Sequence, residues 1–295
     1  MKPLEMLAER VSAGASVTPA DAQLLIESRD LIAVGMMADE VRRRLHGLRT
    51  TFVRVFEVHV SAVPASLPAS LMAGEIRMVG DPDSLDAALA VVSSVRGISQ
   101  TRPLTGFSLA SLSKFGVPVR EVSRQLRDAG LDAIAEVSLD SVTDASAVAD
   151  VREGGLEAYR LTIQQYGEGS GTDLLERASD LQRSVGGFRA FAPLPRVLSA
   201  VTPTTGYDDV KLVATARLMV TNIPSIQVDW PLYGPKLAQV ALTMGADDVD
   251  GIAAFDPASL GSRRSALAEI VGNIRAAAQE PAERNGRFEV LRVVE

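Results

Sequence analysis

The spacing of the hydrophobic residues changes near residue 50. Before that point Leu4, Leu7 and Val11 recur at the spacing of one helix face, and Thr18 can cap a second helix. After it, Phe52–Val60 alternates β-branched or aromatic residues with polar ones, which is typical of a strand. The pattern therefore predicts a helical start followed by a region that contains strands.

Strand-like and helix-like segments then alternate to the end of the chain. The predicted strands are Phe52–Val60, Glu75–Val79, Arg102–Phe107, Leu131–Val137, Ala158–Ile163, Phe188–Leu194, Ser225–Val228 and Asp248–Ala253. The predicted helices between and after them are Ser84–Val95, Val119–Ala129, Ala145–Glu153, Asp173–Ser184, Asp208–Val220, Pro235–Met244 and Ser262–Ala278. Eight such units indicate an α/β fold of the (β/α)₈ TIM-like barrel type.

An open doubly wound sheet is the alternative to a barrel. It would place a Gly-rich phosphate loop after the first strand, and the chain has no such loop there. After the first predicted strand, the prolines and serines of Ser61–Ser70 indicate a loop. The sequence thus leaves open whether the barrel is complete at its first βα unit.

We expect one domain with three parts. Residues 1–50 form an N-terminal helical extension, residues 51–280 form the barrel and residues 281–295 form a C-terminal tail. Arg42–Arg44 fall in the last turn of the extension, where cations suit the helix dipole, and we expect a solvated helix end there.

The composition limits which partners and metal sites the chain can have. The formal net charge is −7 and the pI is near 5.1, which argues against a nucleic-acid partner. No apolar run is long enough to cross a bilayer, so we expect a cytoplasmic protein with no membrane partner. The chain contains no cysteine and two histidines, so we expect no metal site.

Several segments of the second half resemble one family of enzymes. Phe188–Leu194 resembles the motif "GGFxAFIPL", Asn222–Gln227 resembles "NIPHIKAYW", Gly234–Leu242 resembles "GxKxAQxAL" and Gly245–Gly251 resembles "GADDLDG". These motifs are similar to those of the radical S-adenosylmethionine enzymes of the futalosine route to menaquinone, such as aminofutalosine synthase and dehypoxanthine futalosine cyclase. The resemblance extends over nearly the whole chain.

The resemblance implies a Cys-x3-Cys-x2-Cys loop after the first barrel strand, whose thiolates hold a 4Fe–4S cluster that binds S-adenosylmethionine. The corresponding positions here are about Ala62, Ser66 and Ala69, which offer no thiolate. We therefore expect neither the cluster nor S-adenosylmethionine as a cofactor, and no radical activity.

Candidate site residues lie at the carboxyl ends of the predicted strands, where barrel enzymes carry their chemistry. Trp230 beside Asp229 is expected either to stack on a planar ligand or to pack against the barrel end. Arg196 is expected either to bind an anion or to lie in solvent, and Asp247 and Asp248 are expected at the opposite, stabilising end. The candidate acids or bases are Glu136, Glu168 and Asp229, and the candidate ligand-binding residues are Thr105, Gln164, Arg196, Asp229, Trp230 and Asp250.

Three hypotheses about function follow. The first is a cluster-free relative in menaquinone biosynthesis that binds a metabolite, either an aromatic carboxylate or a nucleoside, or stabilises an intact relative or a second copy of itself. The second is an enzyme of the lyase or hydrolase type at the barrel mouth. The third is a structural subunit that acts through its surface, with an apolar strand edge exposed by the short segment at residues 61–75.

Overall fold

The strands form a closed ring of eight. The structure is a computed structural model that describes residues 3–142, 144–165, 171–197, 204–255 and 266–294. Each strand of the ring pairs in parallel with the next, and the last strand pairs with the first. In chain order the ring strands are β1 (Arg49–His59), β2 (Glu75–Val79), β3 (Leu104–Ser108), β4 (Ala133–Ser138), β6 (Arg160–Ile163), β7 (Ala190–Pro195), β8 (Ser225–Asp229) and β9 (Asp248–Ala253), while β5 (Glu157–Ala158) pairs only with β4. The predicted (β/α)₈ barrel is confirmed, and the open sheet is excluded.

Helices cover the outside of the ring and supply most of the core with the outward faces of the strands. After the extension they are α4 (Leu85–Ser99), α5 (Leu109–Ser113), α6 (Val119–Asp128), α7 (Ser146–Glu153), α8 (Gly171–Val185), α9 (Gly206–Met219), α10 (Trp230–Thr243) and α11 (Ala266–Ala276). The first residues of the predicted helix Ser262–Ala278 lie outside the described residues. Within α10, Gly234 takes a φ of 76°, which breaks the helix just before Pro235.

The first crossover contains no helix. Residues 60–74 connect β1 directly to β2 as turns and irregular backbone, with Leu71 buried against the core. The ring nevertheless closes, because Val55–His59 pairs with Glu75–Val79. The expectation that this short connection exposes a strand edge is therefore wrong for β1 and β2.

The C-terminal segment adds two strands that the sequence analysis did not predict. β10 (Glu280–Arg284) lies parallel to the first half of β1, on the same side as β2, and β11 (Val290–Val293) pairs antiparallel with β10. Arg284 reaches into the end of the barrel, where its Nε and Nη2 donate to the two carboxylate oxygens of Asp248 at 2.6 and 2.7 Å. The segment thus covers the lower half of β1 and is tied to the barrel interior.

The N-terminal helices α1 (Pro3–Ser12), α2 (Pro19–Glu27) and α3 (Leu31–His46) pack on α9 through a second apolar cluster. Thr18 caps α2 as predicted. Arg42 corrects the expectation of a solvated helix end, because its side chain is fully buried and donates to Asp39 and to the carbonyl of Gly47. Arg43 and Arg44 remain exposed. Among the described residues, no helix is both long and apolar enough to cross a membrane.

Candidate functional site

A cavity of about 640 Å³ opens at the carboxyl ends of the barrel strands. Its charged lining consists of four carboxylates and three guanidiniums. The carboxylates are Glu57, Asp81, Glu136 and Asp229, and the guanidiniums are Arg77, Arg160 and Arg196. The volume lies in the range of small-molecule sites, and the position is where barrel proteins place their chemistry.

The floor of the cavity is a buried ion-pair network. Nη1 and Nη2 of Arg77 donate to both carboxylate oxygens of Asp250 at 3.0 and 2.9 Å, and Arg77 Nε donates to Glu75 at 2.8 Å. Arg160 donates to Asp250 at 3.1 Å and to the carbonyl of Ala135 at 3.1 Å. All four charged residues of this network are buried. Bidentate pairing of this kind fixes the guanidinium plane and gives the cavity a rigid charged base.

Burial and pairing act in opposite directions on these groups. Burial alone would raise the pKa of Asp250, but Arg160 and Arg77 lower it well below its ordinary value. Burial lowers the pKa of Arg160, and neighbouring Arg77 lowers it further. Asp250 therefore stays ionised and is the anion that holds the two arginines together.

Arg196 bridges two strands across the mouth. Its Nε lies 2.7 Å from Glu136 Oε2 and its Nη1 donates to Asp229 Oδ2 at 3.1 Å. Burial would lower the pKa of Arg196, but the carboxylates of Glu136 and Asp229 raise it overall. Gln164 donates to Glu136 at 2.7 Å, so the bridge also includes the end of β6.

Asp229 has a second role at the start of α10. Its Oδ1 accepts from the backbone N–H of Leu232 at 3.0 Å, which makes it the N-cap of that helix. The cap and the ion pair with Arg196 together fix the carboxylate at the rim.

Glu57 differs from the other lining carboxylates. Its Cα lies opposite that of Arg77 in the pairing of β1 with β2, but Arg77 is turned towards Glu75 and Asp250. Asp81 in contrast accepts from Ser111 at 2.5 Å and from Lys114 at 3.2 Å. Within the part of the chain that the structure describes, Glu57 is exposed and has no hydrogen-bond or ion-pair partner.

Phe107 lines the same cavity in a strained backbone conformation. Its φ is 59°, in the left-handed region that bulky residues avoid, while its ring is almost fully buried. Such strain persists only where the surroundings impose it, and it is concentrated at functional sites. The strained backbone of Phe107 is therefore a second observation, besides the charged cavity, that indicates a functional site at this mouth.

The other predicted site residues lie at different depths. Thr105 is buried below the mouth and donates to Glu75 at 2.6 Å. Trp230 packs in the core and is not part of the cavity lining in the described structure. Glu168 lies outside the described residues. Asp247, at the opposite end of the barrel, accepts from Arg217 and from the backbone N–H of Ile226.

Four charged residues of the mouth and its floor were not predicted from the sequence, namely Glu57, Glu75, Arg77 and Arg160. A signal for them exists, because side chains two positions apart on a strand share one face. Glu75 and Arg77 have this spacing in β2, where neighbouring apolar residues face the helices. Charged residues inside such short buried strands point into the barrel, which is how Arg160 could have been found.

The residues present do not fit an iron–sulfur cluster. Ala62, Ser66 and Ala69 are exposed on the connection between β1 and β2, and residues 60–74 contain no cysteine, histidine, aspartate or glutamate. Within the described ranges, no group of three or more His, Cys, Asp or Glu residues could hold a metal ion. Thiolates are the usual ligands of such clusters, and this connection supplies no side chain that could replace them.

Comparison with known proteins supports the resemblance. Residues 189–295 match the model of the CofH/MqnC C-terminal region. The chain is 29% identical to aminodeoxyfutalosine synthase of Thermus thermophilus, over 97% of this chain and 95% of that protein. It is 31% identical to cyclic dehypoxanthine futalosine synthase of Streptomyces coelicolor, over 62% of this chain and 52% of that protein.

Two solved structures are similar in fold. The FeFe-hydrogenase maturase of Carboxydothermus hydrogenoformans has a TM-score of 0.68 at 12% identity, covering 97% of this chain and 80% of the maturase. Methylornithine synthase has a TM-score of 0.65 at 16% identity, covering 94% of this chain and 97% of the synthase. At such low identity these structures show the barrel fold alone.

Proposed function

We propose that this relative of the futalosine-pathway enzymes acts in menaquinone biosynthesis without an iron–sulfur cluster, as a cytoplasmic protein that binds a small metabolite at the barrel mouth. The observation that carries the proposal is the cavity of about 640 Å³ whose charged floor is fixed by buried ion pairs. A rigid, charged base is what a specific binding site needs, because little order has to be created when the ligand arrives.

The side chains at the barrel mouth support ligand binding rather than radical chemistry. The barrel mouth contains a cavity, but the connection between β1 and β2 offers no thiolate. An aromatic carboxylate and a nucleoside are the two ligand classes proposed for the site. Each combines an aromatic ring, which can contact Phe107, with polar groups that can reach charged residues of the lining.

Acid–base catalysis by the lining carboxylates has less support. A general base has to reach a proton on the substrate, and Glu136 and Asp229 are both engaged by Arg196. Asp229 in addition caps α10. Lyase or hydrolase chemistry that uses Glu136 or Asp229 as its acid or base would first require Arg196 to move away.

A partner-stabilising role is the second form of the proposal. The outer edge of β11 has no strand partner within the described residues, and Val290, Leu291 and Val293 are exposed. An apolar edge of this kind can add a strand from another chain. The partner in this form is a cysteine-bearing relative or a second copy of this chain.

Calorimetric titration of the purified protein with adenosine and with benzoate tests the binding function, since these probes represent the two ligand classes. We expect at least one of them to bind. We also expect Ala135→Phe, which places a ring in the cavity, to abolish that binding with an unchanged circular dichroism spectrum. Ala20→Phe, at an exposed position of α2, is the matched control and should bind like the unmodified protein.

The function would be refuted if neither probe bound, or if Ala135→Phe bound as well as Ala20→Phe. Either result would mean that the cavity is not a site for these ligands.

A further inference from the structure

We infer that Glu57 is the specificity-determining residue of the mouth, and that it selects a ligand with a pair of vicinal hydroxyl groups and disfavours a carboxylate. This inference rests on the proposed binding function and adds to it the class of ligand. Its basis is which charged side chains of the cavity are paired with one another and which are not.

Glu57 is the lining carboxylate that is left to recognise a ligand. Arg196 holds Glu136 and Asp229, and Ser111 and Lys114 hold Asp81. Among the described residues, Glu57 alone of the four has both oxygens without a partner. A carboxylate with two such oxygens can accept hydrogen bonds from two neighbouring hydroxyl groups.

The geometry of β2 explains why Glu57 is not neutralised by the nearest cation. Arg77 stands opposite Glu57 in the strand pairing, but its guanidinium points into the barrel towards Glu75 and Asp250. Those two carboxylates are buried, and charges attract more strongly where water is excluded. Arg77 is therefore retained by the floor, and Glu57 stays available at the rim.

The sign of the local charge opposes an anionic ligand. The four lining carboxylates together with Glu75 and Asp250 outnumber the three arginines and Lys114, six negative groups against four positive ones. Each guanidinium is already paired with a carboxylate of this set. A ligand carboxylate would meet excess negative charge, whereas hydroxyl groups would not.

Two lining residues of different chemistry suit the two parts of such a ligand. Glu57 is exposed at the rim, whereas Phe107 is almost fully buried in the same cavity. A molecule with an aromatic ring and a polyhydroxylated part would place its ring near Phe107 and its hydroxyl groups near Glu57. A nucleoside has this arrangement, with two hydroxyl groups on its ribose.

The test is a cycle of two proteins and two ligands, measured by calorimetric titration at neutral pH. We expect Glu57→Gln to weaken adenosine binding by roughly tenfold, about 1.4 kcal/mol. The ligand 2′,3′-dideoxyadenosine lacks both hydroxyl groups, and we expect it to bind the unmodified protein about tenfold more weakly than adenosine does. We expect its affinity for Glu57→Gln to equal its affinity for the unmodified protein, because it has no hydroxyl group for Glu57 to bind.

Two controls separate this role from general effects of charge. Glu9→Gln removes one exposed carboxylate from α1 and should leave adenosine binding unchanged. Benzoate should bind the unmodified protein more weakly than adenosine does, and Glu57→Gln should improve benzoate binding because one negative charge is removed from the rim.

The outcomes distinguish the inference from the function on which it rests. If neither adenosine nor benzoate binds, the proposed function itself fails. The inference on Glu57 fails, while the binding function stands, if benzoate binds more tightly than adenosine. It also fails if Glu57→Gln and Glu9→Gln bind adenosine with equal affinity. It fails again if loss of the two hydroxyl groups weakens binding by the same factor in the unmodified protein and in Glu57→Gln.

Discussion

Asp250 is the anion shared by the two arginines in the floor of the cavity. Its carboxylate accepts hydrogen bonds from Arg77 and Arg160, and it is completely buried with them. Buried ion pairs are not strongly stabilising as a whole, because each charge has to leave water. Removal of one partner is nevertheless costly, since the remaining charges stay buried without compensation.

Asp250→Asn should therefore lower the free energy of unfolding by about 3–5 kcal/mol. Urea unfolding followed by circular dichroism measures this change. Asp128→Asn is the matched control, because Asp128 pairs with Arg127 on an exposed helix surface, and its loss should cost less than about 1 kcal/mol. Equal effects of the two substitutions would contradict the role assigned to the buried network.

At the scale of single elements, α2 shows how a local pattern defines a helix end. Thr18 Oγ1 accepts from the backbone N–H of Asp21 at 3.2 Å, and Asp21 accepts from the backbone N–H of Thr18 at 2.9 Å. Arg10 of α1 adds a bidentate ion pair to Asp21. One carboxylate thus closes the capping box and connects two helices of the extension.

The stabilisation that the capping box provides should depend on pH. The hydrogen bond from Arg10, together with those from Thr18, lowers the pKa of Asp21 to about 2. Because the pKa is lower in the folded protein than in the unfolded chain, the stabilisation is present above about pH 4 and is lost as the pH falls towards about 2. The melting temperature of Asp21→Asn should be below that of the unmodified protein at neutral pH, and the difference should shrink across this window.

Glu9→Gln is the control for that experiment, since Glu9 is an exposed carboxylate on α1, and its melting temperature should follow that of the unmodified protein at every pH. A difference between Asp21→Asn and the unmodified protein that is constant from neutral pH to about pH 2 would contradict the role of ionised Asp21.

At the scale of the whole molecule, the barrel is closed although its first crossover lacks a helix. β1 pairs with β2, β9 and β10, so its edges are covered by strands from both ends of the chain. The irregular connection at residues 60–74 therefore leaves the ring closed.

The lack of cysteine in the whole chain should prevent it from holding an iron–sulfur cluster. After anaerobic incubation with iron and sulfide, followed by desalting, we expect no iron to remain bound, as measured by elemental mass spectrometry, because the chain supplies no thiolate. A protein of known iron–sulfur cluster content treated in parallel is the positive control. Stoichiometric iron in this protein would show that other residues hold a cluster and would contradict the cluster-free proposal.

Much of the fold could be predicted from the chain because its signals are local. Thr18 caps a helix through atoms three residues away, and the apolar run that becomes β7 identifies a strand buried on both faces. The candidate site was only partly predictable. Glu136, Arg196 and Asp229 were named at strand ends, and they meet because neighbouring parallel strands end at one mouth.

The remaining features depend on pairings between distant parts of the chain. Arg77 lies 173 positions from Asp250, and Arg284 lies 36 positions from Asp248, so no local pattern indicates which carboxylate each arginine meets. The same holds for Arg42, whose place in a helix end suggests solvent although the fold buries it. Glu57 was not predicted because its distinguishing property is the lack of a partner among the described residues, which depends on the positions of all its neighbours.

The alternation of strands and helices and the lack of thiolates follow from residue types and their spacing along the chain. Closure of the ring and neutralisation of the charges in the floor of the mouth follow from the folded arrangement, as does the lack of a partner for Glu57 among the described residues. The physical reason is that Coulomb pairing depends on distance and burial, and both are set when β1, β2, β6 and β9 are brought around one axis.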